Sequence, residues 1–183
     1  MSETEPSISE LAEQVSALES QVAALEDDGD EPTRMTIIAT KGTLDMAYPV
    51  LILGDMAAAF GWEVTVFATF WGLDMLHAEK HKNLKMSSVG NPSLPMPKLI
   101  GILPFMDNAM TWMMQRKIDD VGTDTIPELI QRGLDEGVEF QACQMTMDLM
   151  DYDDDDFIEG VTTGVGAAHA LRKMKNSDVQ LLV

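Results

Sequence analysis

From residue 34 onward, hydrophobic and polar positions alternate between strand-like and helix-like segments. Short runs rich in β-branched residues predict buried strands at residues 35–40, 63–70, 138–143 and 179–183, with a further strand within 98–103 or 157–163. A helical pattern runs from Leu44 to Phe60 and stops at Gly61, and a second one, TIPELIQRGLDEG, precedes the third strand. Strands that alternate with helices favour right-handed crossovers and a parallel sheet covered on both faces. The pattern therefore predicts an α/β domain.

A different pattern precedes this domain. Apolar residues recur in steps of three and four at Ile8, Leu11, Val15, Leu18, Val22 and Leu25. This heptad spacing places one apolar seam along a helix, and its mixture of β-branched residues and Leu favours a parallel two-stranded coiled coil. The alternative is an amphipathic helix that docks on its own domain. With the polar linker EDDGDEPT, the pattern predicts a coiled-coil helix and linker over residues 1–33 and the α/β domain over residues 34–183.

Residues 99–118 form a segment crowded with methionine and large apolar side chains. The segment reads LIGILPFMDNAMTWMMQRKI and includes Phe105, Met106, Met110, Trp112, Met113 and Met114. A surface helix could not expose all of these side chains, which favours a place in the core or in a subunit interface. The alternative is an adaptable, methionine-rich flap.

The charge of the chain narrows the classes of partner. Its 183 residues carry a formal net charge of -19, and residues 1–31 hold ten acidic residues without any Lys or Arg. A strongly negative surface repels phosphate backbones and anionic lipid head groups, so we expect no nucleic-acid or membrane partner. Because both the N-terminal segment and the domain are acidic, the composition favours a halophilic protein over one with merely an acidic tail.

A single cysteine, Cys143, indicates the compartment. It excludes a disulfide within the chain and favours a reducing environment, so we expect a cytoplasmic protein. The start, MSETEPSISE, lacks the basic and apolar regions of a signal peptide, and no run of about 18 residues is apolar and uncharged. We therefore expect a soluble chain without a membrane span.

Cys143 is also the strongest nucleophile candidate, because it stands where a predicted strand ends and a helix begins. Ligands of parallel sheets bind beyond the carboxyl ends of the strands. A helix N-terminus favours the thiolate, which is the reactive form of the side chain. The acidic residues Asp148, Asp151 and Asp153 to Asp156 would disfavour it if they approached the sulfur. Position alone leaves a reactive and a buried, inert cysteine equally open.

Three segments carry a resemblance that bears on this choice. They are MTIIATKGTLDMAYPVLILGDMAAAFGWEVTVFATFWGLDML, the short PMPK and FQACQMTMDLM. Together they resemble the DsrE/DsrF/DsrH-like family, specifically the DsrE-related branch often labelled predicted peroxiredoxin. The likeness spans residues 35–183, and within it TFWGLDML and ACQMTMD are the most specific parts.

The resemblance implies a three-layer α/β/α fold with a five-stranded, mainly parallel sheet, a homo-oligomer, and a cysteine that carries sulfur as a persulfide. The family's cysteine corresponds to Cys143. A persulfide carrier needs no second cysteine, because the other sulfur arrives with a donor protein or a low-molecular-weight thiol. Two alternatives stay open: a non-catalytic interaction module with a structural cysteine, and a one-cysteine thiol peroxidase. The acidic loop after Met150 departs from the sulfur-relay members.

Further candidates for substrate binding flank the predicted sheet edge. Lys41, Gly42 and Thr43 follow the first strand, and Lys41 would supply positive charge to an anion or a thiolate. A plain turn with a capping residue is the alternative for this loop. Gln144 and Thr146 follow Cys143 directly, and we expect them to border the same substrate.

The histidines and the aspartate run give weaker signals. His77 and His81 would share one face of a helix, as metal ligands do, but a third ligand is not evident and solvated side chains are the better interpretation. His169 is expected to be structural. The run Asp153 to Asp156 lacks the ligand spacing of a calcium loop and favours a hydrated loop. We therefore predict neither a metal site nor a cofactor.

Overall fold

The computed structural model describes residues 14–19, 31–87 and 106–183. The chain divides into two compact units, residues 1–32 and 33–183. In the first unit, residues 14–19 are helical, and Val15 and Leu18 are exposed. The other heptad positions lie outside the described residues, so the coiled coil stays a prediction.

The second unit is built on five parallel strands. They are β1 (Arg34–Ala39), β2 (Glu63–Ala68), β3 (Glu139–Cys143), β4 (Thr162–Val165) and β5 (Val179–Leu182). Their order across the sheet is β4-β3-β2-β1-β5, and every neighbouring pair is parallel. The predicted α/β fold is confirmed. The further strand predicted within 98–103 or 157–163 corresponds to β4, which starts at the end of the segment 157–163. The alternative segment 98–103 lies outside the described residues.

Five α-helices in the described part of residues 33–183 accompany the strands. They are α1 (Leu44–Ala59), α2 (Met106–Val121), α3 (Ile126–Asp135), α4 (Gln144–Met150) and α5 (Ala167–Lys175). The start of α3 shows why the sequence folds locally as it does. Thr125 and Glu128 form a reciprocal capping box, which satisfies amides that a helix leaves unpaired at its first turn. No helix in these ranges is long and apolar enough to cross a membrane.

The methionine-rich segment is only partly described. Residues 99–105 lie outside the described residues. In α2, Met114 packs against the core, whereas Trp112 and Met113 are exposed. Trp112 and Met113 therefore lie outside the core of the single chain. An interface or a flap stays a prediction for these two side chains.

The two faces of the sheet carry different cores, because side chains alternate along a strand. On one face, Ile37, Val66 and Phe140 pack with α1 and α3 in the main core. On the other face, a small cluster joins Ile38, Phe67 and Cys143 to Ala170 of α5. Helices thus cover both faces, and Cys143 belongs to the smaller core.

A carboxylate is buried between α1 and α3. Asp55 is 5% exposed, and neither of its oxygens has a hydrogen-bond partner among the described residues. It fits there because α3 carries Gly133, where a Cβ would lie 2.9 Å from Oδ1. Burial and the nearby negative charges of Glu136 and Asp124 raise the pKa of Asp55 to about 6, although the positive charge of Arg132 acts in the opposite direction.

We predict that Asp55→Asn stabilises the protein at neutral and alkaline pH. Because the pKa of Asp55 is higher in the folded than in the unfolded protein, ionisation of Asp55 favours unfolding. This loss of stability is absent below about pH 4, grows as the pH rises and is complete above about pH 7. Removing the charge should raise the free energy of unfolding by about 1–3 kcal/mol at about pH 8. Denaturant titrations at about pH 5 and about pH 8 measure the gain.

The exposed Asp135 on α3 offers a matched control. Asp135→Asn should change stability by no more than about 0.5 kcal/mol at either pH. An equal gain from Asp55→Asn at both pH values would show that ionisation of Asp55 is not the cause.

Candidate functional site

Cys143 is the last residue of β3 and directly precedes α4, as its sequence position predicts. It is 3% exposed. Its cluster consists of Ile38, Phe67 and Ala170, with Val165 and Met174 partly buried at the margin. The sulfur therefore lies in an apolar pocket on the α5 face of the sheet.

On the β4 side, Cys143 is covered by a short strand that pairs irregularly with β3. β4 is an edge strand of four residues, and its pairing with β3 shifts register between Gln141 and Cys143. Cys143 stands opposite Val165, which is flanked by Gly164 at φ 72° and by Gly166. Short, irregularly paired edge strands open at low free-energy cost compared with a central strand.

Gln144 and Thr146 do not converge on one open site. Gln144 donates through Nε2 to Asp148 Oδ1 at 2.8 Å and accepts from the Gly164 amide at 3.1 Å, so it ties α4 to β4. Thr146 is fully buried, and its Oγ1 lies 3.1 Å from Thr69 Oγ1 and accepts from the Phe70 amide at 3.2 Å. Both side chains hold elements around Cys143, and their role toward a substrate stays a prediction.

Lys41, Gly42 and Thr43 lie elsewhere on the same sheet edge. They line a cavity of about 620 Å³ together with Trp71, Asp74, Lys80, Asn83, Leu84 and Lys85. Cys143 does not line this cavity. The residues predicted for substrate binding therefore separate into two groups, one at the cysteine and one at the cavity.

Two glycines allow close backbone packing at the carboxyl edge of the sheet. A Cβ at Gly72 would lie 2.2 Å from the carbonyl oxygen of Ala39, the last residue of β1. A Cβ at Gly42 would lie 2.2 Å from the carbonyl oxygen of Trp71. Because each contact is made to backbone, a side chain at either position would force main chain apart. The 3₁₀ segment Phe70–Met75 therefore sits between the end of β1 and the loop that follows it.

We predict that Gly72→Ala destabilises the domain, because its methyl group would overlap the end of β1. The free energy of unfolding should fall by about 1–3 kcal/mol or more. Gly166→Ala is the matched control, since a Cβ there meets no atom within 4 Å. Thermal and denaturant unfolding of both variants measure the difference, and equal stability of the two would contradict the close packing.

The acidic residues after Cys143 are engaged in local structure. Asp148 bonds to Gln144, and Asp151 ends α4 in the left-handed conformation. Asp153 and Asp156 cap a short 3₁₀ turn, in which the Asp153 amide donates to Asp156 Oδ2 at 2.9 Å. The hydrated loop expected here is thus a capped turn.

The three histidines each contact another part of the protein. His81 is buried, and its Nδ1 lies 2.8 Å from the carbonyl oxygen of His77, so the solvated interpretation is wrong for His81. His77 instead pairs with Phe157 through an isolated bridge. His169 contacts the buried Gln141 at 3.1 Å. Within the described ranges no three His, Cys, Asp or Glu side chains are grouped as metal ligands.

Sequence reasoning missed the other half of the cavity wall. Trp71 and Asp74 come from the segment after β2, and Lys80 and Lys85 from the segment that follows it. The sequence KHKNLK, residues 80–85, could have indicated this wall, because it holds three lysines in a chain that is poor in Lys and Arg.

Comparison with known proteins decides the family. The family described as DsrE/DsrF/DrsH-like matches residues 31–182. The chain belongs to this family. The resemblance seen in the sequence is therefore confirmed over the whole α/β domain.

Two relatives and one solved structure illustrate the range of this family likeness. The chain is 42% identical over 161 residues to "Sulfur carrier protein DsrE2" of Allochromatium vinosum, covering 84% of this chain and 99% of the relative. It is 26% identical over 176 residues to "Uncharacterized protein YrkE" of Bacillus subtilis, with the same coverage. The crystal structure of the ychN protein from E. coli matches with a TM-score of 0.52 at 10% identity, covers 82% of this chain and 99% of the other, and shows the fold alone.

Proposed function

We propose that this protein is a cytoplasmic sulfur carrier that accepts a sulfane sulfur on Cys143. The observation that carries the proposal is the position of this cysteine at the carboxyl end of β3, in a chain 42% identical to a protein named a sulfur carrier. No second cysteine exists in the chain, which suits a carrier because the partner supplies the other sulfur. It also suits a reducing compartment.

The proposed step is an exchange at sulfur. The Cys143 thiolate attacks the terminal sulfur of a donor persulfide, R–S–S⁻. The donor S–S bond breaks, a new S–S bond forms on Cys143, and R–S⁻ leaves with the electron pair of the broken bond. One thiolate and one persulfide anion are consumed, and one of each is produced. An acceptor thiolate that attacks the terminal sulfur of Cys143–S–S⁻ regenerates the Cys143 thiolate.

Access to the sulfur requires a local opening. Cys143 is buried in the single chain, so neither donor nor acceptor reaches it while the cover is closed. Val165, between Gly164 and Gly166, is the part of the cover that belongs to the sheet edge. We propose that displacement of this edge segment together with the start of α5 admits the partner thiol.

The working form we propose is a homo-oligomer that buries the α5 face. A helix of nine residues is about 13 Å long and about 10 Å wide, whereas five strands extend about 19 Å across the sheet. Leu182 is 75% exposed although its register partner Ile38 belongs to the cysteine cluster, and Leu171 of α5 is 65% exposed. A second copy would cover these apolar side chains.

We expect the native protein to take up sulfur on Cys143. Incubation of the native protein with a low-molecular-weight persulfide should add the mass of one sulfur atom to most chains, because Cys143 is the acceptor. Intact-mass spectrometry measures the adduct, and an alkylating agent that traps persulfides maps it to the peptide containing Cys143. Exposure to excess thiol should remove it.

The matched variant is Cys143→Ser, which changes one atom in the buried cluster. Its free energy of unfolding should fall by about 1–3 kcal/mol, because a hydroxyl group enters an apolar cluster, yet the variant should fold and acquire no adduct. Absence of an adduct on folded wild-type protein would leave the interaction module as the better account. Reduction of a hydroperoxide by the wild-type chain without sulfur loading would favour the thiol peroxidase.

We also expect the α5 face, and not residues 1–31, to determine the subunit number. Light scattering of the full chain should give an oligomer that persists when residues 1–31 are removed, because the α5 face holds it together. Leu182→Glu should lower the subunit number by placing a charge on that face. A monomeric full chain, or an oligomer lost with residues 1–31, would contradict this arrangement.

A further inference from the structure

Three lysines surround the cavity at the ends of β1 and β2. Lys41, Lys80 and Lys85 line its volume of about 620 Å³. The chain has only 12 Lys and Arg against 31 Asp and Glu, so three cations around one cavity run against its overall charge. The volume lies in the range of small-molecule sites. Positive charge in a concave, partly apolar setting points to an anionic ligand.

Among the residues that the structure describes, Lys80 is the one lysine of the three with an acidic partner. Lys80 Nζ lies 2.9 Å from Asp74 Oδ1, and the same oxygen accepts from the Tyr152 hydroxyl at 3.0 Å. Lys41 and Lys85 form no ion pair with any residue of the described ranges. Distant carboxylates are screened within about 8 Å at physiological salt, so the local excess of positive charge decides what binds here.

A hydroxyl group in the same wall has no hydrogen-bond partner within the described part of the chain. Thr43 lines the cavity, and its Oγ1 is buried without a hydrogen bond to any described residue. Thr43 precedes α1, where a threonine side chain commonly caps the helix, yet this one makes no such bond. Val would fill the same volume without an unsatisfied polar atom. Rotation of the Thr43 side chain would turn this hydroxyl toward the cavity, where an oxyanion seated between the lysines would provide the missing acceptor.

The cavity also offers an apolar surface and a fixed frame. Trp71, which is 65% exposed, lines it together with the side chain of Leu84. Gly42 packs on the carbonyl of Trp71, and the carbonyl of Lys85 accepts from the Leu44 amide at 2.8 Å. The segments that carry the lysines and the tryptophan are therefore held together before any ligand arrives, which lowers the entropy cost of binding.

We propose that this cavity binds a small organic anion. Its oxyanion group is held by Lys41, Lys85 and the Thr43 hydroxyl, and its apolar body rests against Trp71. The site is separate from Cys143, since that residue does not line the cavity. Binding is therefore independent of whether Cys143 carries sulfur.

The test uses the full chain and two anionic probes, phenyl phosphate and benzoate. Benzyl alcohol serves as the neutral probe and inorganic phosphate as the anion without an apolar body. Titration followed by ¹H–¹⁵N spectra should show saturable binding of at least one organic anion, with a Kd below about 1 mM and the largest shifts at residues 41–43 and 83–85. Inorganic phosphate should bind more weakly, and benzyl alcohol should not saturate.

Matched variants assign the effect to the proposed groups. Lys41→Gln and Lys85→Gln should each weaken binding about tenfold, since each removes a charge-assisted hydrogen bond. Thr43→Val should weaken binding several-fold without lowering the melting temperature, a result that a structural hydroxyl would not give. Lys82→Gln, whose parent side chain pairs with Glu79 and does not line this cavity, should bind like the wild type, as should Cys143→Ser.

Several outcomes would overturn the proposal. They are the absence of saturable binding by both organic anions, equal binding of benzyl alcohol, and equal losses in Lys41→Gln and Lys82→Gln. Loss of binding in Cys143→Ser would place the anion at the cysteine instead. Because sulfur loading is measured separately, either site can fail while the other stands.

Discussion

The close packing of the 3₁₀ segment Phe70–Met75 against the end of β1 is the contact on which the carboxyl edge of the sheet depends. Gly72 allows this segment to contact the backbone of Ala39. Gly42, in the loop that follows β1, allows that loop to contact the backbone of Trp71 in the same segment. From this position the segment reaches both sites. Its Phe70 amide donates to Thr146, three residues beyond Cys143, and Trp71 forms part of the cavity wall. One backbone contact thus positions the surroundings of the cysteine and of the cavity.

Cys143 is enclosed by apolar side chains, but the strand on one side of it is short and irregularly paired. Apolar neighbours exclude water from Cys143, and this would protect a bound persulfide from unintended thiols. The same burial prevents exchange unless the cover moves. An edge strand of four residues, paired irregularly and followed by glycine, is where a parallel sheet opens most readily. A carrier that exchanges sulfur slowly with free thiols and readily with a docked partner needs both properties.

Much of this fold could be predicted from sequence because its signals are local. Runs of β-branched residues predicted β1 and β2, and the helical pattern of TIPELIQRGLDEG predicted α3. The position of Cys143 at a strand end followed from the same patterns. β4 was harder to locate, since Thr162–Val165 contains Gly164 and lies at an irregular edge where periodicity is weak. The burial of His81 and the convergence of Lys41 with Lys85 depend on contacts between distant segments, which no local pattern encodes.

The rate at which an alkylating reagent modifies Cys143 in the native protein measures how its sulfur becomes accessible. We expect slow but measurable modification whose rate is insensitive to low denaturant concentrations, because a local opening at Val165 exposes the sulfur without unfolding the sheet. Modification that occurs only in step with global unfolding would contradict it, since a sulfur atom reachable only in the unfolded chain could not serve a folded carrier.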